Sequence, residues 1–388
     1  MTTAPSAPVY LDYNATTPLD PGVRSVVVDA LDQPWGNPSS VHQVGRLARA
    51  CLDDARDRLA HTLGGRPGEW VFTSGGTEAN NLAIFGAARF RARSAGHRHL
   101  ICSPIEHPAV LQAFQYLARH EGFELTILPV DTSGRVDPAA VASALRKDTA
   151  LVSVMAANNE IGVLQPVTEI GALCRQRRIP FHCDAVQWFG KVPFQRIQEL
   201  EADLVTLCAH KIHGPKGAGA LWIRSPFPIE PMIVGGGHEL ERRAGTENLP
   251  AILGLVHAAE QFTRPPVFCA ECLSPLTAAL HATLSSIPEV ILHGSNAPRL
   301  ANTIAFSVNG ADSLGLIANL DLAGICTSSG SACSSGSITP SHVLQAMGHP
   351  PHLAASLVRL SLGRETTAGE IERVRRELRP CLDRARHC

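Results

Sequence analysis

Short apolar runs alternate with longer amphipathic stretches through the first two thirds of the chain. The apolar runs predict buried strands at residues 70–73, 99–103, 123–128, 151–156 and 203–207, with a strand end at 181–187. The stretches between them predict helices at residues 41–63, 108–120, 138–146 and 167–177, and one that opens within 74–81 and ends near residue 93. This alternation predicts right-handed βαβ units and a mostly parallel central sheet of the α/β class.

The helix predicted at residues 41–63 carries apolar side chains four residues apart. This spacing predicts a single buried face that holds Leu47, Cys51, Ala55, Leu59 and Leu63. Glycines follow at positions 64 and 65, and they are expected to end the helix.

Polar side chains follow several of the predicted strands at the point where each strand ends. They are Thr77, His107, Asn159, Asp184, Gln187 and Lys211. Because the carboxyl ends of parallel strands meet at the same edge of a sheet, we expect these side chains to share one site. This convergence is the strongest indication of function that the residues give by themselves.

Lys211 follows the apolar run at residues 203–207 and precedes a turn rich in glycine and proline. A lysine held away from bulk water has a lowered pKa, and its neutral amine can condense with an aldehyde. The alternative is an ordinary solvated lysine after a turn. This segment leaves the two interpretations open, and the choice depends on what the rest of the chain supplies.

The Ser74–Asn81 segment joins a predicted strand to a helix through Gly75 and Gly76. A glycine turn at a helix N-terminus can bind a phosphate through unpaired backbone N–H groups. A turn that only packs a helix on a sheet is the alternative. The spacing matches neither a Walker A loop nor a dinucleotide fingerprint, which disfavours a dinucleotide-dependent dehydrogenase.

Length and composition indicate an ordinary globular protein of two domains. The 388 residues, 45% of them hydrophobic and 18% charged, are enough for two domains, and the Thr-Arg-Pro-Pro run at 263–266 predicts the boundary between them. We expect an N-terminal arm at 1–15, a large domain at 16–262 and a smaller α/β domain at 263–388. A net charge of −1 gives no reason to expect nucleic acid or membrane binding. The first residues resemble no signal or transit peptide, and eleven scattered cysteines favour a reducing cytoplasm.

Cys333 lies within a run of serines and glycines at residues 327–337. Such a segment is unsuited to burial, so we expect an exposed, movable thiol with a chemical role. Cys269 and Cys272 form a CxxC pair without a second pair, which disfavours a zinc or redox role. We expect no metal at His210 and His213, since no helix aligns them.

The motifs together resemble a known family. In order they are YLDYNATT, GNPSSVH, FTSGGTEANNLA, EHPAVL, ANNEIGVLQP, CDAVQWFGK, AHKIHGPKGAGAL, GGGHE, RAGTEN, SSGSACSSGS and LSLGRETT. The chain resembles the cysteine desulfurases of the NifS/IscS type, pyridoxal-phosphate enzymes of fold type I in the class V aminotransferase group. The resemblance implies a mostly parallel sheet with helices on both faces, plus a smaller C-terminal α/β domain.

The resemblance also implies how the pyridoxal ring is held. Lys211 would bind the cofactor covalently and then act as the base at the substrate Cα. Asp184 would pair with the pyridine nitrogen and keep it protonated, so that the ring can take up electrons. Gln187 would contact the ring hydroxyl with Asn159 beside it, and His107 would stack over the ring and pass protons.

The implied phosphate site contains one departure from the family. Gly76, Thr77, Cys208 and His210 would hold the phosphate, and Thr246 would reach it from the other subunit of a homodimer. The family usually has serine where this chain has Cys208. Because a thiol is the weaker hydrogen-bond donor, we expect looser retention of the phosphate.

The implied reaction uses L-cysteine as the substrate. Arg359 would pair with its carboxylate, for which a planar bidentate donor is suited, and Asn14 and Asn159 would help to orient it. Cys333 would attack the substrate sulfur, leaving alanine and a persulfide for an acceptor such as an iron–sulfur scaffold protein, and would transiently ligate a cluster. EHPAVL and PSHVLQAM resemble the nitrogen-fixation type, whereas ANNEIG resembles the housekeeping type.

Two other functions stay open at this point. A selenocysteine lyase or another class V aminotransferase would share the fold, although an aminotransferase has no use for Cys333. A non-catalytic sulfur carrier or metal-binding protein would use Cys333 with Cys269 and Cys272, and it would bind no chromophore.

Overall fold

A computed structural model describes residues 7–330 and 339–386. Cys333, the predicted nucleophile, therefore lies outside the described residues. No helix of the described ranges is long and apolar enough to cross a membrane.

The strands are short and occur in both halves of the chain. They are β1 (Val9–Tyr10), β2 (Trp70–Thr73), β3 (His99–Cys102), β4 (Glu124–Ile127), β5 (Thr149–Ser153), β6 (Phe181–Asp184), β7 (Leu204–Cys208), β8 (Gly219–Ile223), β9 (Val290–His293), β10 (Thr303–Val308), β11 (Ile325–Cys326) and β12 (Val358–Ser361). Seven of them form the central sheet in the order β2-β8-β7-β6-β5-β3-β4. Only β8 runs against its two neighbours in this sheet, which confirms the predicted mostly parallel arrangement.

The helices alternate with these strands as the sequence predicts. They are α1 (Pro21–Asp32), α2 (Gln43–Leu63), α3 (Gly76–Ala95), α4 (Pro108–His120), α5 (Pro138–Ala144), α6 (Val167–Gln176), α7 (Leu249–Phe262), α8 (Ala270–Ser285), α9 (Ser313–Leu322), α10 (His342–Ala346), α11 (Pro351–Ala355) and α12 (Ala368–Arg386). The ends of α2 to α6 lie within a few residues of the predicted ends, because caps and glycines mark them in the sequence.

Helices cover both faces of the central sheet. Successive residues of each strand point to opposite faces, so Val71 packs with α3 and α4, whereas its neighbours Trp70 and Phe72 pack with α2 and α7. Both faces are therefore apolar, as is usual for strands covered on two sides. This arrangement leaves the ends of the strands as the places where polar side chains can collect.

The buried face of α2 is rotated from the predicted one. Ala48 and Leu52 are buried, whereas Leu47 is 52% exposed and Cys51 only partly buried. The prediction extended a strict four-residue spacing, but 3.6 residues per turn shift the buried stripe over several turns. The C-terminal part of the prediction, from Ala55 through Leu59 to Leu63, is confirmed.

A second core lies in the C-terminal part of the chain. Strands β12, β10 and β9 form an antiparallel sheet packed against α8, α9 and α12. The N-terminal arm belongs to this core, since β1 pairs in parallel with β11 and Leu11 and Tyr13 are buried there. The arm then continues to the edge of the central sheet, so it links the two cores.

Candidate active site

A cavity of about 250 Å³ lies where the carboxyl ends of the central strands face strand β12. It brings together eleven of the thirteen predicted site residues, which are Asn14, Gly76, Thr77, His107, Asn159, Asp184, Gln187, Cys208, His210, Lys211 and Arg359. Thr246 is exposed and does not line the cavity, and Cys333 lies outside the described residues. One chain therefore assembles nearly the whole predicted site from segments distant in sequence.

Lys211 lies in the short turn after β7 and reaches into the cavity. Its Nζ donates hydrogen bonds to the carbonyl oxygens of Asn14 and Ala15, each at 2.7 Å. The N-terminal arm thus orients the amine toward the carboxyl edge of the sheet. This arrangement favours the site interpretation of Lys211 over that of a solvated surface lysine.

Asp184 ends β6 and is buried at the floor of the cavity. One carboxylate oxygen accepts from the backbone N–H of Val186 at 3.0 Å, and the other accepts from Asn80 Nδ2 at 2.7 Å. Two donors therefore hold the carboxylate in one orientation while its buried position preserves its electrostatic effect. The side-chain oxygen of Asn80 is buried without a hydrogen-bond partner among the described residues.

The phosphate end of the site is built around the start of α3. Gly75 adopts φ = 155°, a conformation that side chains rarely tolerate, and a Cβ on Gly219 would lie 2.6 Å from its carbonyl carbon. The glycines thus let β8 and the α3 N-terminus meet closely and leave backbone N–H groups available for an anion. Burial lowers the pKa of His210 to about 4, so its imidazole is neutral in this cradle.

Cys208 occupies the middle of the same cradle. The backbone N–H groups of Gly76 and His210 interact with its sulfur, and its thiol lies 3.8 Å from the carbonyl oxygen of Ala218. Burial raises the pKa of the thiol above its ordinary value, so Cys208 stays protonated. It can offer a phosphate only the weak donor that its S–H provides.

Replacing Cys208 by serine is expected to slow the loss of a bound phosphate ester. A hydroxyl donates to a charged oxygen far better than a thiol does, so the dissociation rate should fall about tenfold. The rate is measured from the cofactor absorbance that remains during dialysis. Cys51→Ser on α2 is the control, and a Cys208→Ser variant that loses cofactor as fast as the parent would contradict the prediction.

His107 caps the start of α4 at the mouth of the cavity. Its Nδ1 accepts from the backbone N–H of Ala109 at 3.1 Å, which requires the neutral ring to carry its proton on Nε2. Burial lowers the pKa of His107, although the Asp184 charge acts in the opposite direction. His107 therefore presents a neutral Nε2–H donor at the site.

Glu106 immediately precedes His107 in the chain, and its side chain is buried. Its Oε1 accepts from Ser103 Oγ at 2.6 Å and from the Met155 backbone N–H at 2.8 Å, while Oε2 has no hydrogen-bond partner among the described residues. Burial is the main cause that raises the pKa of Glu106 to about 8. The side chain is thus mostly neutral at pH 7.

Glu106→Gln is expected to flatten the dependence of stability on pH. An acid whose pKa is higher in the folded than in the unfolded chain contributes stability at low pH and loses that contribution as the pH rises through the folded value. The parent should therefore lose stability between about pH 5 and about pH 9, whereas the glutamine variant should lose less. Thermal unfolding across this range measures the effect, and exposed Glu241→Gln serves as the control. Parallel curves for parent and Glu106→Gln would refute the assignment.

Asn14 connects the arm, the central sheet and the C-terminal core. Its Nδ2 donates to Thr303 Oγ1 at 2.9 Å, and its Oδ1 accepts from Lys191 Nζ at 2.6 Å and from Asn302 Nδ2 at 3.1 Å. Gln187 Nε2 donates to the Asn14 carbonyl oxygen at 2.9 Å. The side chain of Asn14 thus holds neighbouring parts of the site in register, and its direct contact with substrate stays a prediction.

Lys191 is a site residue that the sequence analysis missed. It is 5% exposed, and its Nζ donates to Asn14 and to Gln187 Oε1 while lying 5.3 Å from the ring centre of Phe268. Burial, followed by the charges of Lys211 and Arg359, lowers the pKa of Lys191 well below its ordinary value. Its amine therefore orients the Gln187 amide from behind the cavity.

Lys191→Met is expected to weaken cofactor binding about tenfold or more while the chain remains folded. Methionine fills the space of the buried lysine without an amine, so the fold should persist. The Oε1 atom of Gln187 then lacks its donor, at a cost of about 1–3 kcal/mol, and Gln187 is no longer oriented toward the cofactor. Titration of the apoprotein with cofactor gives the dissociation constant, and thermal unfolding reports the fold. Exposed Lys147→Met is the control, and unchanged affinity in Lys191→Met would remove Lys191 from the site.

Arg359 enters the cavity from β12 and is 2% exposed. Its Nη1 donates to the carbonyl oxygen of Asn159 at 2.8 Å, and its Nη2 donates to Asp12 Oδ1 at 2.8 Å. Its Nε is buried without a hydrogen-bond partner among the described residues. A guanidinium with one buried N–H unsatisfied is suited to an additional anionic ligand.

Glu160 lies beside both flanks of the segment at 331–338. Its Oε2 accepts from Ser341 Oγ on the C-terminal flank, and a Cβ added at Gly330 on the other flank would overlap the same carboxylate. Side-chain bulk at position 330 is therefore excluded. The described residues Gly330 and Ser341 thus both lie against Glu160, which lines the cavity.

The family of the chain follows from comparison with known proteins. The model of the Aminotransferase class-V family matches residues 9–374. The chain belongs to this family. Within it, the chain groups with the cysteine desulfurases: those called IscS from Dictyoglomus turgidum and Methanosarcina thermophila are 44% and 43% identical over 94% of this chain, covering 91% and 90% of their own lengths.

Solved structures of desulfurase-like proteins share the fold. One described as a NifS-like protein superimposes with a TM-score of 0.86 at 34% identity and covers 98% of both chains. Another, SspA in complex with cysteine, gives a TM-score of 0.80 at 34% identity and covers 92% of this chain and all of that one. These likenesses confirm the predicted type I fold.

The enzymes of this family depend on pyridoxal phosphate, and the cavity of this chain fits that cofactor. Lys211 supplies an amine for the aldehyde, the buried Asp184 carboxylate suits a protonated ring nitrogen, and the Cβ-free cradle at Gly75 and Gly76 suits the phosphate. Potential metal ligands do not gather in groups of three or more within 7–330 and 339–386.

The sequence analysis did not predict three polar residues of the site, although the sequence around each of them contains a feature that could have indicated it. Asn80 follows Gly76 by one helical turn, so it could have been placed on the same side of α3. Lys191 stands between Phe189 and Val192 in a run that is otherwise apolar. Glu160 follows directly on Asn159, but only the tertiary structure shows that it contacts Ser341.

Proposed function

We propose that this member of the cysteine desulfurases removes sulfur from L-cysteine, releases L-alanine and leaves a persulfide on Cys333 for an acceptor protein. The observation that carries the proposal is the convergence of an amine, a buried carboxylate and a buried guanidinium, Lys211, Asp184 and Arg359, on one cavity. These groups suit the aldehyde and ring nitrogen of pyridoxal phosphate and the carboxylate of an amino acid, respectively.

Pyridoxal phosphate, when bound, supplies a ring that withdraws electrons from the substrate Cα. Lys211 would hold the cofactor and later accept the Cα proton at Nζ, with the carbonyl groups of Asn14 and Ala15 guiding the amine. Asp184, oriented by Asn80, would keep the ring nitrogen protonated. His107 would donate from Nε2 at the mouth of the cavity, which agrees with its hydrogen bond from Ala109.

Arg359 would bind the substrate carboxylate. Its Nε is available, and exchange of the Nη2 bond to Asp12 would complete a bidentate pair. Asn159, whose carbonyl oxygen accepts from Arg359, would help to place the substrate above Lys211. The C-terminal core would therefore supply the substrate contact, while the central sheet supplies the cofactor contacts.

Cys333 would act as the nucleophile. Its thiolate would form a bond to the sulfur of the substrate as the bond between that sulfur and the substrate Cβ breaks. Protonation of the carbon fragment yields alanine, and the transferred sulfur remains as Cys333–S–SH. The positions of Gly330 and Ser341 against Glu160, a residue that lines the cavity, support this role for Cys333.

The partners belong to the same proposal. A second copy of the chain would complete the phosphate site through Thr246, which is exposed on this chain. The sulfur acceptor would be an iron–sulfur scaffold protein or a similar carrier, and transient cluster ligation by Cys333 would accompany delivery. The proposed setting is the cytoplasm, where thiols stay reduced.

Incubation of the holoenzyme with L-cysteine tests the proposal. We expect equal amounts of alanine and protein-bound sulfur, with the mass of one sulfur atom added to the peptide that contains Cys333. Alanine without this mass gain would indicate another lyase chemistry. Turnover of L-selenocysteine but not of L-cysteine would identify a selenocysteine lyase instead.

A further inference from the structure

Cys269 and Cys272 lie together at the start of α8, and neither lines the cavity. Their sulfur atoms are 2.6 Å apart, closer than two thiols pack by ordinary contact. Cys272 is exposed and Cys269 partly buried, and both are free thiols. The proposed desulfurase reaction uses neither of them. The lone CxxC spacing disfavours a redox role, but the contact between the two sulfur atoms favours one.

The surroundings of the pair make its two thiols unequal. Cys269 occupies the N-cap position of the 16-residue helix α8, and its side chain caps no backbone N–H. The unpaired N–H groups and the dipole of the first turn favour a thiolate there. The interaction with Cys269 is the largest cause that raises the pKa of Cys272 above its ordinary value, which disfavours Cys272 as the attacking thiol.

A cleft beside Cys269 gives a small reactant access to this thiol. Its walls include Phe194, Gln195, Arg264, Glu271 and Cys269, whereas Cys272 does not line it. The exposed guanidinium of Arg264 is tied through Nη1 to the carbonyl oxygen of Gln195 at 2.7 Å, so it is held at the edge of the cleft. Arg264 and Glu271 bring opposite charges to the lining, so access to the Cys269 thiol, and not the charge of the cleft, points to a small disulfide as the reactant.

We propose that Cys269 and Cys272 form a redox-active dithiol that exchanges with small disulfides and closes to an internal disulfide. The Cys269 thiolate attacks one sulfur of the reactant, forms a mixed disulfide and releases the first thiolate of the reactant. Cys272 loses its proton to solvent and attacks the sulfur of Cys269, which releases the second thiolate. Two protein thiols are oxidised, one disulfide is reduced to two thiols, and an added dithiol reverses the change.

The test treats the holoenzyme with oxidised glutathione, blocks the remaining thiols with N-ethylmaleimide and measures the peptide that contains both cysteines. We expect this peptide to lose two hydrogen atoms and to bind no maleimide, and dithiothreitol to restore both labels. Cys51, a partly buried thiol on α2, is the internal reference within the same sample. Full maleimide labelling of Cys269 and Cys272 after the treatment would overturn the proposal.

Two single variants test the order of attack. Cys272→Ser should keep glutathione bound to Cys269 as a mixed disulfide. In Cys269→Ser, Cys272 should react with oxidised glutathione about tenfold more slowly than Cys269 does in Cys272→Ser. Equal rates, or faster reaction at Cys272, would overturn the assignment of Cys269 as the attacking thiol. The wild-type measurement needs no substitution, so the proposal remains testable even where a variant misfolds.

Discussion

Replacing Lys211 by alanine is expected to abolish desulfurase turnover and covalent retention of the cofactor together. The variant loses both the amine that holds the aldehyde and the base that accepts the Cα proton, so kcat should fall by at least about 10⁴-fold. Borohydride reduction of the holoenzyme followed by peptide mass analysis should place the cofactor on residue 211 in the parent and on no residue in the variant.

The composition of the chain makes this measurement decisive. Its only lysines are Lys147, Lys191, Lys211 and Lys216. Lys191 is the chemical rival, since burial lowers its pKa, but its Nζ is engaged behind the cavity by Asn14 and Gln187. Exposed Lys147→Ala is the matched control and should retain normal turnover. Cofactor found on Lys191 in the parent would overturn the assignment of Lys211.

Replacing Cys333 by alanine is expected to separate cofactor chemistry from sulfur transfer. The cavity residues remain intact, so the holoenzyme should keep its cofactor absorbance and its spectral response to L-cysteine. Without the nucleophile, no persulfide forms, and alanine production in the absence of an added thiol should fall by at least about 100-fold. Alanine release and peptide masses after incubation with L-cysteine give both quantities.

Cys51→Ala is the control for this variant, because it removes a partly buried thiol from α2 and leaves the cavity unchanged. Its alanine release and its persulfide should equal those of the parent. If Cys333→Ala released alanine at the parental rate, Cys333 would have no part in the reaction, and an aminotransferase or lyase mechanism would be favoured.

The local pattern of hydrophobic and polar residues was sufficient to predict most of the strands and helices. Alternation with a period of two places Val71 and Trp70 on opposite faces of the sheet, and the helix boundaries follow from caps and glycines. The error in α2 arose where a four-residue spacing was extended over several turns. The roles of the site residues came from the resemblance of motifs, and the cavity brings the corresponding side chains together.

The amino-acid sequence by itself determined the order of strands and helices, the glycine turn before α3 and the polar residues at the strand ends, since each depends on neighbours within a few positions. The tertiary structure alone decided how those residues are oriented. Lys191 meets Asn14 across 177 positions, Asn80 meets Asp184 across 104, and Arg359 meets Asp12 across 347. Such contacts depend on how separate elements pack, and the order of residues along a chain does not specify which distant polar groups burial will pair.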